Sequence, residues 1–201
     1  MTRILRPALV VLIVFSLLTG VAYPLLVTGL SRLLFPAQAG GSLIQRNGQV
    51  IGSGLIAQRF TSPRYFWPRP SAAGDGYDAT NSGGSNLGPD GKKLLEQVTQ
   101  RAQALRRANP DASGPVPEAL VTASASGLDP DVPPAAALWQ VPRVAKARGL
   151  SEAAVTALVN QYTQTRTFGL LGEPRVNVLK LNLALDALTS SAAADVESGK
   201  S

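Results

Sequence analysis

The chain has 201 residues, 45% of them hydrophobic and 16% charged, with 19 Lys+Arg against 13 Asp+Glu and neither Cys nor His. Without Cys there is no disulfide framework, thiol nucleophile or thiolate metal site, and without His the usual general base, the Ser-His-Asp triad and the common zinc ligand are gone. From Gly40 onward 16 Lys+Arg face 13 Asp+Glu with no block of like charge, which gives nucleic-acid binding little support.

The first element is the most informative. Between Arg6 and Arg32 no residue is charged and most are Leu, Val, Ile, Ala or Phe. About 25 such residues make a helix of about 37 Å, enough to cross a hydrocarbon core of about 30 Å. Ala37-Gln38-Ala39 has the form of a signal cleavage site, but the apolar run is longer than a signal peptide's apolar region, and too long and uncharged for a buried helix of a soluble protein. Gly20 and Gly29 leave smooth faces where another helix can approach, while Tyr23 and Pro24 mark either a helix-packing site or a kink. Arg3 and Arg6 precede the span and Arg32 alone follows closely, a bias toward a cytoplasmic N-terminus.

The expected organisation is a cytoplasmic N-terminus over 1–6, a transmembrane helix over 7–31, a linker over 32–41, a mixed α/β (α+β) extracytoplasmic domain over 42–188 and a polar tail over 189–201. Within the domain, Leu43–Arg46 and Gln49–Ile51 around Asn47-Gly48 predict a hairpin with a type I′ turn. Leu55-Ile56-Ala57 extends the strand or follows a bulge at Gly52 or Gly54. From Phe60 to Ser71, three prolines and four aromatics predict extended irregular backbone. There Tyr65, Phe66 and Trp67 either pack over the core or face a partner. Gly74 to Asp90 is a long polar loop containing Asp75, Asp78, Asn81 and Asn86. Its spacing matches neither a calcium loop nor a phosphate loop, and its Asn and Asp side chains suit turns.

A helix is predicted from near Asp90, with Leu94, Leu95, Val98, Ala102 and Leu105 as its apolar stripe and Asn109-Pro110 as its stop. Leu120 to Ser124 reads as a short strand. Pro133-Pro134 opens a helix toward Arg148 that breaks at Pro142, with Trp139 and Val144 in the core. Gly149 ends it, and Ser151-Glu152 begins another helix to about Thr163. Phe168 to Pro174 is an apolar turn. Val176 to Leu188 fits both a strand and a helix, with length and Pro174 favouring helix.

Several segments stand in a telling order: Pro63-x-Tyr65-Phe66 with Arg69-Pro70-Ser71-Ala72, Gly76-Tyr77-Asp78-Ala79, and Gly84-Ser85-Asn86-Leu87-Gly88-Pro89. Further on come Leu120 to Ser124, Ser126 to Pro130, Gln140 to Ala145, Leu171 to Val178, and Leu181 to Asp186. In this order they resemble the C subunit of the bacterial Kdp potassium-transporting ATPase. The chain departs from the family's pattern at Asp131, where His is common, and at Asp90-Gly91, in place of Asn-Pro. The resemblance implies a non-catalytic accessory subunit of an ATP-driven high-affinity potassium importer, with no catalytic residues and no metal site of its own. It further implies a bacterial inner-membrane location and three partners: a channel-like potassium-binding subunit, a P-type ATPase subunit and a small single-span subunit. ATP and potassium act at the level of the complex, where the family's C subunit is described as raising ATP affinity. Tyr65, Phe66, Trp67, Asp75, Asp78 and Asn86 are the candidate partner-facing loop. Asp75, Asp78, Asp129 and Asp131 are candidates for concentrating cations near a pore. The competing expectations are a membrane-anchored ligand-binding domain, a carboxylate-based hydrolase and, with reversed topology, a nucleotide-binding module.

Overall fold

A computed structural model describes residues 2–198, with side chains from 3 to 188. The chain divides into two compact units, Met1–Ser53 and Gly54–Ser201, so the hairpin groups with the N-terminal helix and the division falls after the expected linker.

In the first unit, α1 (Thr2–Leu17) and α2 (Tyr23–Leu34) are joined without a break by a π-helical stretch, Leu18–Ala22. Pro24 accounts for it. Its ring has no N–H and crowds the carbonyl four residues back, and one wide turn relieves that clash. Tyr23 N–H accordingly donates to Leu18 O, five residues back, and Thr19 Oγ1 donates to Phe15 O at 2.7 Å. Arg3–Leu34 is long and apolar enough to cross a membrane, and its side chains are exposed along its length. A short α3 (Pro36–Ala39) follows. Then β1 (Leu43–Arg46) pairs antiparallel with β2 (Gln49–Ser53) through a turn with Asn47 at φ 53° and Gly48 at φ 76°, the two positive values a type I′ turn requires. The bulge lies at Ile51, which the register skips between Val50 and Gly52, rather than at Gly52 or Gly54, and Leu55 lies beyond the end of β2.

The second unit is built from helices around a small sheet. Its helices are α4 (Lys92–Ala108), α5 (Pro134–Leu138), α6 (Val141–Arg148), α7 (Glu152–Gln161) and α8 (Val178–Ser198). Three very short strands, β3 (Asp131–Val132), β4 (Thr163–Gln164) and β5 (Arg175–Asn177), form an antiparallel sheet in the order β3-β5-β4. α7 packs against α5, α6 and α8, and α8 starts directly from β5. Phe66, Val132, Val144, Val155, Val159, Val176, Leu181 and Leu185 fill the centre. Pro142 enters the first turn of α6, where a missing N–H costs nothing, so it starts one helix instead of breaking another. Gly149 ends α6 at φ 67°, and Ser151 caps α7 by accepting from Ala154 N.

Three further sequence expectations change. Leu120 to Ser124 is not a strand: Glu118–Leu120 is a 3-10 turn, and Thr122 donates through both N and Oγ1 to Glu118 O. The threonine side chain supplies a local partner that competes with strand pairing. Leu95 is 68% exposed and leaves the predicted apolar stripe, while Leu105 is buried and Val98 and Ala102 pack on the core. The helix from Val178 continues in its backbone to Ser198, past the expected start of the tail at Thr189, and 199–201 lie outside the described residues.

Candidate functional site

The aromatic segment predicted from Phe60 to Ser71 has no secondary structure of its own, so its backbone polar groups need partners elsewhere. Side chains of α6 and α8 provide them. Asn182, buried in α8, accepts from Phe66 N at 2.8 Å and donates to Phe66 O at 3.0 Å. Gln140, just before α6, does the same for Trp67, accepting from its N at 2.8 Å and donating to its O at 3.1 Å. Two carboxamides thus replace the neighbouring strand that an extended segment ordinarily requires.

Two arginines of α6 complete the clamp. Arg143 is buried. It donates from Nε to Asn109 Oδ1 (2.8 Å), from Nη1 to Pro63 O (2.7 Å) and Tyr65 O (3.0 Å), and from Nη2 to Gln140 Oε1 (2.8 Å). These acceptors are all neutral, and burial pushes the guanidinium down to about 10, which leaves it cationic at neutral pH. Arg148 donates from Nε to Arg64 O (2.7 Å) and from Nη2 to Asp186 Oδ1 (2.9 Å). Tyr65 closes this corner, with its hydroxyl donating to Asp186 Oδ2 (3.2 Å) and its ring 4.9 Å from the Arg148 guanidinium.

Of the candidate partner-facing aromatics, Phe66 is fully buried and belongs to the core, whereas Tyr65 and Trp67 are half-buried. Trp67 also donates from Nε1 to Ser62 O, so its polar tip is satisfied within the segment. Arg143, Arg148, Gln140 and Asn182 were not among the residues expected to matter from sequence. A signal was present: Arg148 falls seven residues after Val141 on the same apolar stripe as Val144 and Ala145, a position where a charge must be buried or paired.

The polar loop is also folded onto the domain. Tyr77 donates to Arg69 O (2.8 Å), Tyr77 N donates to Ser71 Oγ (2.7 Å), and Arg59 donates to Asp75 O (2.7 Å). Gly83 N donates to Ser126 O, and at Gly127 (φ 67°) a Cβ would come within 2.5 Å of Gly83 O and 2.6 Å of Ala73 N. Only glycine permits that approach. Burial raises the Tyr77 hydroxyl above its ordinary range. Asp78 Oδ1 accepts from Thr80 N and Oγ1, which holds its carboxyl below the usual carboxylate range. Asp75 and Asn86 are exposed, with Asn86 in left-handed backbone at φ 49°.

The four candidate cation-concentrating carboxylates do not gather into one ion-holding group, although Asp129 and Asp131 are neighbours. Asp129 pairs with Arg69 at 3.1 Å and Asp131 with Arg175 at 3.2 Å, beside the Asp78–Thr80 turn contacts just described. Among the described residues, no group of three Asp, Glu, His or Cys is placed to hold a metal ion. An open depression of about 680 Å³ is lined by Leu55, Ile56, Arg69, Ser124, Ser126 and Asp129, with its two charges turned on each other. In the membrane-length helix, a Cβ on Gly20 or Gly29 would meet nothing within 4 Å, so both glycines remain open within this chain.

Comparison with known proteins gives a consistent answer over almost the full length. The family described as KdpC, K+-transporting ATPase, c chain, matches residues 5–187. The potassium-transporting ATPase KdpC subunit of Rhodospirillum rubrum is 62% identical over 186 residues, covering 92% of this chain and 96% of that protein. The corresponding subunit of Methylococcus capsulatus is 60% identical over 184 residues (91% and 97%), and that of Polaromonas naphthalenivorans 61% over 189 residues (94% and 96%).

Proposed function

We propose, on the premise that the chain belongs to the KdpC family of potassium-transporting ATPase C chains, that it is a non-catalytic accessory subunit that supports assembly of an ATP-driven potassium importer. The observation that carries this reading is the 62% identity to a named subunit across nine-tenths of both chains. The apolar helix Arg3–Leu34 crosses the bacterial inner membrane, with Arg3 and Arg6 on the cytoplasmic side and the unit from Gly54 outside. Gly20, Tyr23 and Pro24 on one side of the helix, and Gly29 on another, are the positions offered to the membrane-embedded partners, a channel-like potassium-binding subunit, a P-type ATPase subunit and a small single-span subunit. Tyr65 and Trp67, with the loop carrying Asp75, Asp78 and Asn86, form a second surface on the outer unit.

A domain on that side does not reach cytoplasmic ATP. An increase in the pump's ATP affinity therefore passes through the membrane helix and the partner subunits. Two observations support an indirect route: the sequence has no phosphate-binding loop, and the arginines of the clamp are committed to backbone carbonyls and to Asp186.

The test is co-purification of tagged chain in mild detergent from membranes of potassium-starved cells. Co-elution of a P-type ATPase and a multi-span subunit is the expected result, and elution of the chain alone under conditions that preserve membrane complexes contradicts the reading. Because the chain has no Cys, a Ser113→Cys variant reports topology separately. Labelling by an impermeant maleimide in intact cells is expected, and labelling only after permeabilisation reverses the orientation.

A further inference from the structure

Among the described residues outside the membrane-length helix, large apolar side chains are mostly buried or isolated, with one exception. The hairpin connecting β4 and β5 runs through 11 consecutive exposed residues, 164–174. At its tip Phe168 is 88% exposed, Leu170 80% and Leu171 62%. Three large apolar side chains in four residues form a concentrated patch of the kind that marks an interaction site, unlike scattered single exposures such as Leu55 or Leu95.

The tip is held in one shape by its own hydrogen bonds. Thr167 and Leu171 exchange a reciprocal backbone pair, each N donating to the other's O at 2.9 Å. Gly169 N donates to Arg166 O and Leu170 N to Thr167 O. Phe168 sits at φ 55°, a backbone conformation that a bulky side chain rarely adopts, and this geometry displays the ring outward instead of folding it onto the domain. An apolar anchor already fixed in its displayed conformation loses little freedom on binding.

Charge distinguishes the kinds of surface that this tip fits. Arg166 and Glu173 are the only charged residues between Gln164 and Pro174, and they pair with each other, Nη2 lying 2.7 and 2.8 Å from the two carboxylate oxygens. Arg175, next in line, pairs with Asp131. The base is therefore electroneutral. It lacks the cluster of basic residues that draws a peripheral element to anionic lipid, and the tip has neither Trp nor Tyr, the residues favoured at a membrane interface.

We propose that Phe168, Leu170 and Leu171 form an apolar plug that docks into an uncharged hydrophobic cleft on another polypeptide subunit of the potassium-transporting ATPase, an inference that rests on the accessory-subunit reading above. Phe168 is the central anchor, in the manner of an interface hot spot, and the Arg166–Glu173 pair forms the polar rim.

Benzophenone photo-crosslinking in the assembled complex tests this. A photoreactive benzoyl-phenylalanine is placed in turn at positions 168, 170 and 171, with Leu95, 68% exposed on α4, as the control position. The complex is isolated in mild detergent after irradiation of whole membranes, and adducts are identified by mass spectrometry. The expected result is an adduct to another subunit from at least one tip position, at least tenfold above the control position. A Phe168→Ser, Leu170→Ser, Leu171→Ser chain should unfold at the wild-type temperature yet lose at least tenfold in co-purified partner. Adducts confined to lipid or to a second copy of this chain, or no adduct while the unmodified chain still co-purifies, overturn the plug and leave the accessory reading standing. An unmodified chain that fails to co-purify removes the accessory reading, and the plug with it.

Discussion

The guanidinium of Arg143 lies 4.0 Å from the centre of the Trp67 ring while its nitrogens are bonded to Pro63 O, Tyr65 O, Asn109 Oδ1 and Gln140 Oε1. One side chain thus stacks on the aromatic segment and satisfies its backbone. Arg143→Ala removes four hydrogen bonds, leaves the buried Asn109 Oδ1 without its donor, which alone costs about 1–3 kcal/mol, and is expected to destabilise the protein by on the order of 3 kcal/mol. Arg143→Lys should recover little of this, because an ammonium cannot reproduce the planar fork. Thermal unfolding of the full chain in detergent, followed by Trp fluorescence, measures both; a lysine variant as stable as wild type contradicts the clamp.

Arg148 and Asp186 form the second corner, with side chains 1% and 24% exposed. Asp186→Ala leaves a buried cation without that partner and should cost about 2–3 kcal/mol, at the low end for buried pairs because the aspartate is partly solvated. Combining it with Arg148→Met should cost less than the sum of the single changes. Tyr65→Phe removes only the hydroxyl contact and should cost about 0.5–1.5 kcal/mol. Additive effects in this cycle mean the pair is not coupled.

Asp131 gives the fold a pH dependence. Burial pushes its carboxyl above the usual carboxylate range, against the hydrogen bond from Asn177 and the nearby charges of Arg175 and Lys180, with Asp129 reinforcing the rise. The folded chain therefore holds this proton more tightly than the unfolded chain. The favourable contribution is fully present below the ordinary carboxylate value of about 3.9 and is lost as pH rises through the raised value. Relative to an Asp131→Asn variant, wild-type stability should fall as pH rises across that window and then level off. A pH-independent difference between the two contradicts the assignment.

The long apolar N-terminal helix was readable in the sequence because no charge interrupts the run between Arg6 and Arg32, a length that helices of soluble domains rarely reach without one, and Pro24 lies just past its π-helical stretch. The hairpin followed from Asn47-Gly48, and the α6–α7 junction from Gly149 and Ser151. Strands β3, β4 and β5 escaped because two or three residues carry no period, and their pairing joins positions far apart in the chain. The clamp escaped for a related reason. Arg143 and Gln140 look like solvated helix residues until the aromatic segment, more than 70 residues earlier, is laid against them. Phe66 could be core or interface on its own chemistry, and only Asn182, from α8, decides that its backbone is pinned inward.

Gly29 tests the proposed partner-facing surface of the long apolar helix. Nothing in this chain lies within 4 Å of a Cβ placed there, so Gly29→Leu should leave the chain's own fold and membrane level unchanged. If a partner helix packs closely on that face, the variant should lose several-fold in co-purified partner subunits, whereas Ile13→Leu should not. Unchanged recovery of partners with Gly29→Leu assigns that face to lipid.

The most direct test of the accessory role is potassium-stimulated ATP hydrolysis by complexes purified in parallel from cells with and without this chain, measured across ATP concentration. Omission of the chain should lower the yield of intact complex and move half-maximal activity to higher ATP. A complex that assembles to the same yield without the chain, and hydrolyses ATP with the same ATP and potassium dependence, contradicts that role.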